Sequence, residues 1–299
     1  MKILDTLKPG DAIEIIAPAS RCSDQLLIRL QTLIESWGLT CFINKEIFGN
    51  DVLCANSDDK RLNSLVNALH NPETKAVICA RGGYGSMRLI PFLTTLPTPS
   101  SPKLFIGMSD ITALHLYFNQ TWGWSTILGS LNSELLSAES IDMLKAILFG
   151  QTTQIVLPGR ALNAYALNPS ILNAQLAGGN LCLLQTSIGT AWQLDGRNKI
   201  IFFEEIDERG YRVDRMLEHL RQANCLKDAA AIVFGDFIGG NEANGNNLIQ
   251  PVLERFAEQC AFPVVHIQGV GHGSINFPLI LGAQAKLQLG NEIEFTSFC

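Results

Sequence analysis

The first half of the chain alternates short apolar segments with segments whose apolar residues recur at helical spacing. The first kind includes KAVICA at 75–80 and KLFIG at 103–107, and the second includes residues 26–37. A strand that is apolar on both faces is buried on both faces, which is typical of a parallel sheet covered by helices. The pattern therefore predicts an α/β fold with a parallel sheet in the N-terminal half.

A change of character at 151–175 divides the chain. Helical periodicity is lost there, and proline and glycine are frequent. We interpret this segment as the passage between two domains, one over 1–155 and one over 170–299, which a chain of this length accommodates. In the second domain, apolar and polar residues alternate over 285–295 around Gly290, which predicts a terminal β-hairpin.

Composition and charge disfavour several classes of protein. A net charge of -6 argues against a general affinity for nucleic-acid phosphates. No apolar run reaches about 18 residues, so we expect no membrane span. The eight cysteines include no CxxC pair, so we expect neither a zinc site nor a disulfide scaffold. We also expect a cytoplasmic location, because charged residues interrupt any signal-peptide apolar region at Asp5, Lys8, Asp11 and Glu14.

A serine follows the apolar segment 103–107 in KLFIGMSDITALH. A strand that ends there and a helix that begins just after Ser109 would leave the serine hydroxyl exposed above the sheet edge. The amide of Asp110 would point into the same space, as an acyl-transfer nucleophile requires. The alternative is that Ser109 only caps the helix. Taken alone, the segment favours the cap, and Ile111 stands where a GxSxG motif has its second glycine.

A glycine-rich loop follows the preceding strand in CARGGYGSMR at 79–88. Its glycines, Gly82, Gly83 and Gly85, permit positive φ and close approach of backbone amides to an anion. The loop lacks the third glycine of GxGxxG and the GK[ST] of a P-loop, so nucleotide binding is weakly supported. An oxyanion donor and a ligand-free turn remain as the other two interpretations.

Two adjacent carboxylates end the apolar strand IIFFEE at 200–205. Strand periodicity sends Glu204 and Glu205 to opposite faces, so only one of them can serve a given site. Carboxylates at the end of an apolar strand need water or a partner. The alternative to a functional role is that both lie at a solvated strand end.

One histidine, His272, lies in a glycine-rich loop after a strand, in GVGHGS. A loop position favours catalysis over packing. The chain has no HExxH and no other histidine–carboxylate spacing typical of zinc, so we expect no metal. The other histidines lie within or at the ends of apolar helical or strand patterns: His70, His115, His219 and His266.

A serine, a strand-end glutamate and a loop histidine are the parts of a catalytic triad, in the chain order Ser109, Glu204, His272. The blocks around them resemble the LD-carboxypeptidase family, which includes muramoyltetrapeptide carboxypeptidases and microcin C self-immunity proteins. Six blocks carry the resemblance in the same order over almost the whole chain: GDAIEIIAPAS, ARGGYGSMRLI, FIGMSDITALH, LAGGNLCLLQTSIGT, FFEEIDERGYRVDRML and GHGSINFPLILG.

The resemblance implies a role for each of these residues. Ser109 is the nucleophile, His272 the general base and Glu204 the residue that orients the histidine. The oxyanion hole uses the amides of Asp110 and of a glycine in the loop, here Gly83. The implied fold is an N-terminal α/β domain like a flavodoxin or glutaminase, with a smaller β-rich α+β C-terminal domain.

The implied activity is that of a serine carboxypeptidase without a cofactor. It cleaves the bond between meso-diaminopimelate and terminal D-alanine in cytoplasmic muropeptide tetrapeptides, during peptidoglycan recycling. The family also suggests a homodimer. Arg81 is the candidate for binding the terminal carboxylate of the substrate. Residues 275–282 depart from the family pattern, because Ile280 and Leu281 stand where a shorter PLG-like run is expected, and this concerns substrate contacts more than the triad.

Two other functions are compatible with the sequence. A self-immunity amidase acting on peptidyl or aminoacyl adenylates would share the triad but need an aromatic platform for adenine, for which the chain offers Trp122, Trp124 and Trp192. A non-catalytic binding protein with an α/β ligand cleft would need no reactive serine.

Overall fold

The computed structural model describes residues 5–299, which form two sheets and the helices that pack on them. The strands are β1 (Ala12–Ile16), β2 (Thr40–Ile43), β3 (Thr74–Cys79), β4 (Leu104–Gly107), β5 (Thr126–Leu128), β6 (Gln154–Ala161), β7 (Ser170–Asn180), β8 (Lys199–Ile206), β9 (Ala231–Ile238), β10 (Val264–Ile267), β11 (Leu279–Leu281), β12 (Gln284–Leu289) and β13 (Ile293–Phe298). The α-helices are α1 (Asp24–Ser36), α2 (Asp58–His70), α3 (Ile90–Leu93), α4 (Thr112–Tyr117), α5 (Ala138–Leu148), α6 (Leu181–Thr186), α7 (Gly210–Gln222) and α8 (Ile249–Glu258).

The first sheet has the strand order β11-β5-β4-β3-β1-β2. Strands β1 to β5 pair in parallel, and β11 joins the edge antiparallel to β5. All four residues of β4 are buried, as expected for a central strand covered on both faces. The predicted α/β fold with a parallel sheet in the N-terminal half is confirmed.

The second sheet closes on itself as a barrel in the order β10-β6-β13-β12-β7-β8-β9. Strands β7 to β10 pair in parallel, while β6, β12 and β13 pair antiparallel with their neighbours. The last two strands pair directly with each other across the turn at Gly290. The predicted terminal hairpin is therefore confirmed, and the C-terminal half is rich in β-structure.

The interpretation of 151–175 as a mere passage between domains is wrong. Strand β6 lies within it and pairs with both β10 and β13, and β7 begins in it. Ile155 and Leu157 are buried, while Val156 between them is exposed. Proline and glycine obscured this alternation, since they are common in loops but are also tolerated in strands next to bends.

Contacts between the sheets fix how the two halves face each other. The amide of Asn180, at the end of β7, donates to Thr112 Oγ1 at 3.0 Å, at the start of α4. The loop after β10 reaches α5, where the amide of Asn276 donates to Ser140 Oγ at 2.9 Å. Residues that follow β4 and β5 therefore meet the end of β7 and the loop after β10. None of the helices in residues 5–299 has the length and apolar character needed to span a bilayer.

Candidate active site

Ser109 stands in a strained turn between β4 and α4. Its φ of 62° lies in the left-handed region, which costs a residue with a side chain about 1–3 kcal/mol and persists only where the surrounding structure imposes it. The cap position of the short helical turn at 109–111 belongs to Met108, and no side-chain cap hydrogen bond forms there. The interpretation of Ser109 as a helix cap is therefore wrong, and the geometry is that of a strand–turn–helix corner that exposes the hydroxyl.

The glycine-rich loop packs directly against this turn. A Cβ added to Gly82 would lie 2.7 Å from the Cβ of Ser109 and 3.2 Å from the amide nitrogen of Asp110, so a side chain has no room there. Gly83, the next residue, has a φ of 102°. Its amide donates to no acceptor within residues 5–299. Gly83 therefore offers an unpaired backbone donor directly after the residue that packs on the serine turn, which is the kind of group that an oxyanion hole requires.

The carboxylate of Asp110 ties the serine turn to the end of the glycine-rich loop. It accepts the amide of Ser86 at 2.8 Å, and Ser86 Oγ donates to the carbonyl oxygen of Asp110 at 2.6 Å. Both residues are buried. The sequence predicted a role for the backbone amide of Asp110 but not for its carboxylate, which binds the glycine-rich loop. The signal for that role is an acidic residue in the first turn of a helix that is apolar on all sides.

His272 and Glu204 form a buried hydrogen-bonded pair. Nδ1 of His272 lies 2.6 Å from Glu204 Oε2, and the two residues are 68 positions apart in the chain. The side chain of Glu204 is 1% exposed and that of His272 is 14% exposed. Because the carboxylate accepts from Nδ1, the imidazole keeps its Nε2 free to accept a proton. The structure thus brings together the predicted base and its orienting carboxylate.

Opposing effects act on the pKa of His272. Burial by itself lowers the pKa, since it disfavours the charged imidazolium. The hydrogen bond to Glu204 and the negative charges of Glu204, Glu205 and Asp207 outweigh burial, so the pKa of His272 is raised above its ordinary value. The histidine therefore binds a proton readily, as a general base in acyl transfer must.

Ser109 and His272 line one cavity of about 470 Å³ between the two sheets. Gly83 and Arg81 line it as well, and Glu204 lies behind His272. The remaining lining residues are a mixture of small, polar and aliphatic ones: Cys22, Ser23, Leu26, Ala80, Gly82, Met108, Ser130, Asn132, Leu135, Leu136, Ile206, Gly271 and Gly273.

Two family models match the chain. The LD-carboxypeptidase N-terminal domain matches residues 13–129, and the LD-carboxypeptidase C-terminal domain matches residues 173–287. The chain belongs to the LD-carboxypeptidase family. A putative carboxypeptidase of Rickettsia conorii is 39% identical over 290 residues, covering 95% of this chain and 90% of the relative. The probable murein peptide carboxypeptidase of Bacillus subtilis is 31% identical over 286 residues, covering 94% of this chain and 90% of the relative.

Solved structures of the LD-carboxypeptidase family share the fold. The crystal structure of muramoyltetrapeptide carboxypeptidase from Oxalobacter formigenes has a TM-score of 0.81 and 27% identity, and covers 96% of this chain and 99% of that one. The MccF-like protein from Bacillus anthracis has a TM-score of 0.83 at 22% identity, and covers 100% of this chain and 99% of that one. The second likeness concerns the fold alone.

The three tryptophans that an adenine platform could use do not line the cavity. Trp124 and Trp192 are buried, at 5% and 4% exposure. Trp122 stacks on Phe118 with ring centroids 4.4 Å apart, as part of a core aromatic cluster. Among residues 5–299, the cavity lining contains no tryptophan, tyrosine or phenylalanine.

Glu205, the glutamate next to Glu204 in the chain, makes a separate set of hydrogen bonds. It points away from His272 and accepts hydrogen bonds from Asn180 Nδ2 and from the amides of Cys182 and Ile206. Burial, with the neighbouring charge of Glu204, raises its pKa to about 7. The two glutamates lie on opposite faces as predicted, but the alternative of a solvated strand end is wrong, since Glu204 and Glu205 are 1% and 4% exposed.

The raised pKa of Glu205 predicts a stability that depends on pH. The folded carboxyl holds its proton up to about pH 7, whereas the unfolded one loses it near its ordinary value of 4.5. Its contribution to the free energy of unfolding is therefore fully present below pH 4.5 and is lost as the pH rises through 7, by at most about 3 kcal/mol. We expect Glu205→Gln to flatten the decline between pH 5 and 8, measured by urea unfolding.

The quantity to compare is the slope of the unfolding free energy with pH. The absolute value is not informative, because glutamine also changes the hydrogen bonds of this side chain at every pH. Glu258→Gln, at an exposed position, is the matched control and should keep the wild-type slope. A Glu205→Gln protein with an unchanged slope would show that Glu205 does not titrate in this range.

Proposed function

We propose that the chain is a serine carboxypeptidase that removes the terminal D-alanine from muropeptide tetrapeptides by cleaving its bond to meso-diaminopimelate. The observation that supports this most is the buried His272–Glu204 pair in the same cavity as Ser109 in its left-handed turn. The relatives named as murein peptide carboxypeptidases favour the same substrate class. We further propose a cytoplasmic role in peptidoglycan recycling and a homodimeric assembly, both of which the family resemblance implies.

In the proposed mechanism, Ser109 Oγ attacks the peptide carbonyl carbon while His272 Nε2 takes the hydroxyl proton. The carbonyl oxygen becomes an oxyanion, which the amides of Gly83 and Asp110 stabilise. The C–N bond then breaks, and His272 returns the proton to the leaving D-alanine amine. Water attacks the acyl-enzyme, His272 takes its proton, and Ser109 leaves with that proton as the shortened peptide acid departs. Glu204 stabilises the imidazolium in both halves of the cycle.

Arg81 is the side chain proposed to bind the terminal carboxylate of the substrate. Among the described lining residues it is the only lysine, arginine, aspartate or glutamate. Its Nη1 donates to the carbonyl oxygen of Arg21 at 3.1 Å, which leaves the other guanidinium donors for a ligand. A carboxypeptidase needs a cation at this place because its substrate ends in a carboxylate, which arginine binds in a bidentate manner.

We expect Arg81→Met to raise KM for a tetrapeptide ending in free D-alanine by about 10–100-fold, the value of a charge-assisted hydrogen bond. Amidation of that carboxylate should raise KM for the wild type but leave KM for Arg81→Met unchanged. Arg21→Met is the matched control, since Arg21 is exposed, pairs with Asp24 and lies outside the cavity lining. Equal sensitivity of Arg81→Met and wild type to amidation would exclude Arg81 as the anchor.

The decisive experiment for the substrate is mass spectrometry of a muropeptide tetrapeptide before and after incubation with the protein. We expect the loss of one D-alanine and no reaction in Ser109→Ala. An acyl-sulfamoyl adenylate, the substrate type of the self-immunity amidase, should remain intact, because no indole lines the cavity. Hydrolysis of the adenylate with an intact tetrapeptide would replace the proposed function by that alternative. A fluorophosphonate probe that labels neither wild type nor variant would favour the non-catalytic binding protein.

A further inference from the structure

A buried arginine, Arg61, lies outside the cavity but contacts the loops that build it. It belongs to the first turn of α2, and its side chain is 1% exposed. Burial of a guanidinium is costly unless its donors are satisfied. The residue is neither part of the triad nor a lining residue of the cavity, so its burial needs another explanation.

The guanidinium of Arg61 joins segments that are far apart in the chain. Nε donates to the carbonyl oxygen of Asn56 at 3.0 Å, and Nη2 donates to Asp58 Oδ1 at 2.5 Å. Nη1 donates to the carbonyl oxygen of Gly85 at 2.9 Å and also to that of Pro18. One planar group thus fixes the loop after β1, the segment before α2 and the end of the glycine-rich loop.

The two loops that share Nη1 are also bound to each other. The amide of Ser20 donates to the carbonyl oxygen of Gly82 at 3.2 Å, and the amide of Tyr84 donates to Ser20 Oγ at 3.0 Å. A Cβ added to Gly83 would lie 2.6 Å from Ser20 Oγ, so the backbone of Gly83 packs closely against the side chain of Ser20. Any movement of the loop after β1 would therefore move the amide of Gly83.

The glycine-rich loop needs such fixation because glycine restrains its own backbone poorly. Gly83 and Gly85 both have positive φ, at 102° and 120°. The hydrogen bonds between Ser86 and Asp110 fix the loop on the side of the nucleophile. Arg61 fixes it on the opposite side, through the carbonyl oxygen of Gly85.

We propose that Arg61 is a positioning residue, which holds the glycine-rich loop in the conformation that places the Gly83 amide beside Ser109. This inference rests on the proposed function for the role of that amide, but the restraint on the loop is a property of the fold. An oxyanion donor acts mainly in the transition state, so its displacement lowers kcat more than it raises KM.

The test replaces Arg61 with lysine, which keeps the charge but cannot reach all four acceptors from one ammonium group. We expect hydrogen exchange of the amides at 81–86 to become at least about 10-fold faster in Arg61→Lys, because the loop opens more often. We also expect fluorophosphonate labelling of Ser109 and kcat for the tetrapeptide to fall by about 10–100-fold, with KM changed less than about threefold.

Arg88→Lys is the matched control. The side chain of Arg88 binds the same carboxylate, with Nε 3.0 Å from both oxygens of Asp58, but it is half exposed and donates to none of the loop carbonyls. Its backbone amide donates to the carbonyl oxygen of Gly85 at 3.2 Å, a bond that lysine keeps. In Arg88→Lys, the rates of hydrogen exchange at 81–86 and of fluorophosphonate labelling should stay within about twofold of wild type. A folded Arg61→Lys protein with the exchange and labelling rates of the control would overturn the proposal.

The readouts separate the two hypotheses. Faster exchange and slower labelling in Arg61→Lys, with no hydrolysis of the tetrapeptide by wild type, would refute the proposed substrate and retain the positioning role. If Arg61→Lys does not fold, Gly85→Ala decides by the same criteria, because its added Cβ would lie 2.5 Å from Cys54 Sγ and displace the carbonyl that Arg61 binds. Unchanged exchange at 81–86 in that variant would equally overturn the proposal.

Discussion

Ser109→Ala is expected to lower kcat for the muropeptide tetrapeptide by about 10⁴-fold or more, with little change in KM. Alanine removes the attacking oxygen, so no acyl-enzyme forms, while the cavity and its binding groups remain. The rate of D-alanine release at saturating substrate concentration gives kcat. Labelling by a fluorophosphonate should disappear in the same variant, because the probe reacts only with an activated hydroxyl.

The control for Ser109 is another serine of the same cavity. Ser130 also lines it, and its Oγ accepts the amide of Asn132 at 3.2 Å. Its φ is not in the left-handed region, and it does not lie on the turn beside the glycine-rich loop. Ser130→Ala should therefore keep activity within about fivefold of wild type and remain reactive to the probe, since no bond to it forms or breaks. A Ser109→Ala protein that kept a tenth of wild-type activity would rule out Ser109 as the nucleophile.

The second large effect is expected for Glu204→Gln, which should lower kcat by about 10²–10⁴-fold and shift the pH profile. Glutamine preserves the size of the side chain but removes the charge that raises the pKa of His272. Burial, which lowers that pKa, is then opposed only by the charges of Glu205 and Asp207, so the pKa falls relative to wild type. In wild type, activity falls as the pH decreases through the raised pKa, because the base becomes protonated. The acidic limb of kcat/KM should therefore move to lower pH in Glu204→Gln.

Glu205→Gln is the comparison for this shift. Glu205 is the next residue on β8 and also raises the pKa of His272 through its charge, but it does not contact the histidine. Its acidic limb should move in the same direction by less, with kcat reduced far less than in Glu204→Gln. Profiles of kcat/KM from pH 5 to 9 give both values. An acidic limb that is identical in wild type and Glu204→Gln would show that the limb does not report this histidine–carboxylate pair.

The features predicted correctly from the sequence are those encoded in local periodicity. The apolar segment 75–80 corresponds to β3 at Thr74–Cys79, and 103–107 to β4 at Leu104–Gly107. A strand buried on both faces must be apolar at every position, and this is visible in any short window of sequence. The position of Ser109 just after β4 followed directly from the end of that run.

Local patterns misled where a strand contained loop-forming residues or where partners were distant. Strand β6 carries Pro158 and Gly159 and was interpreted as a connection, and β11 joins a sheet whose other strands lie in the first half of the chain. Arg61 gave no signal at all. Its acceptors are backbone carbonyls, which every residue has, so no pattern of side chains marks them.

By itself, the sequence determined the α/β class, the terminal hairpin and which serine, glutamate and histidine occur in the surroundings that the family shares. Only the tertiary structure decided that Glu204 and His272 touch, that Glu205 is buried, and that Ser109 has a left-handed backbone. The physical reason is the range of the interactions. The apolar pattern of a buried strand is visible in a short segment of the chain. A site between two sheets depends instead on barrel closure and on packing between residues far apart in sequence, such as Ser109 and His272.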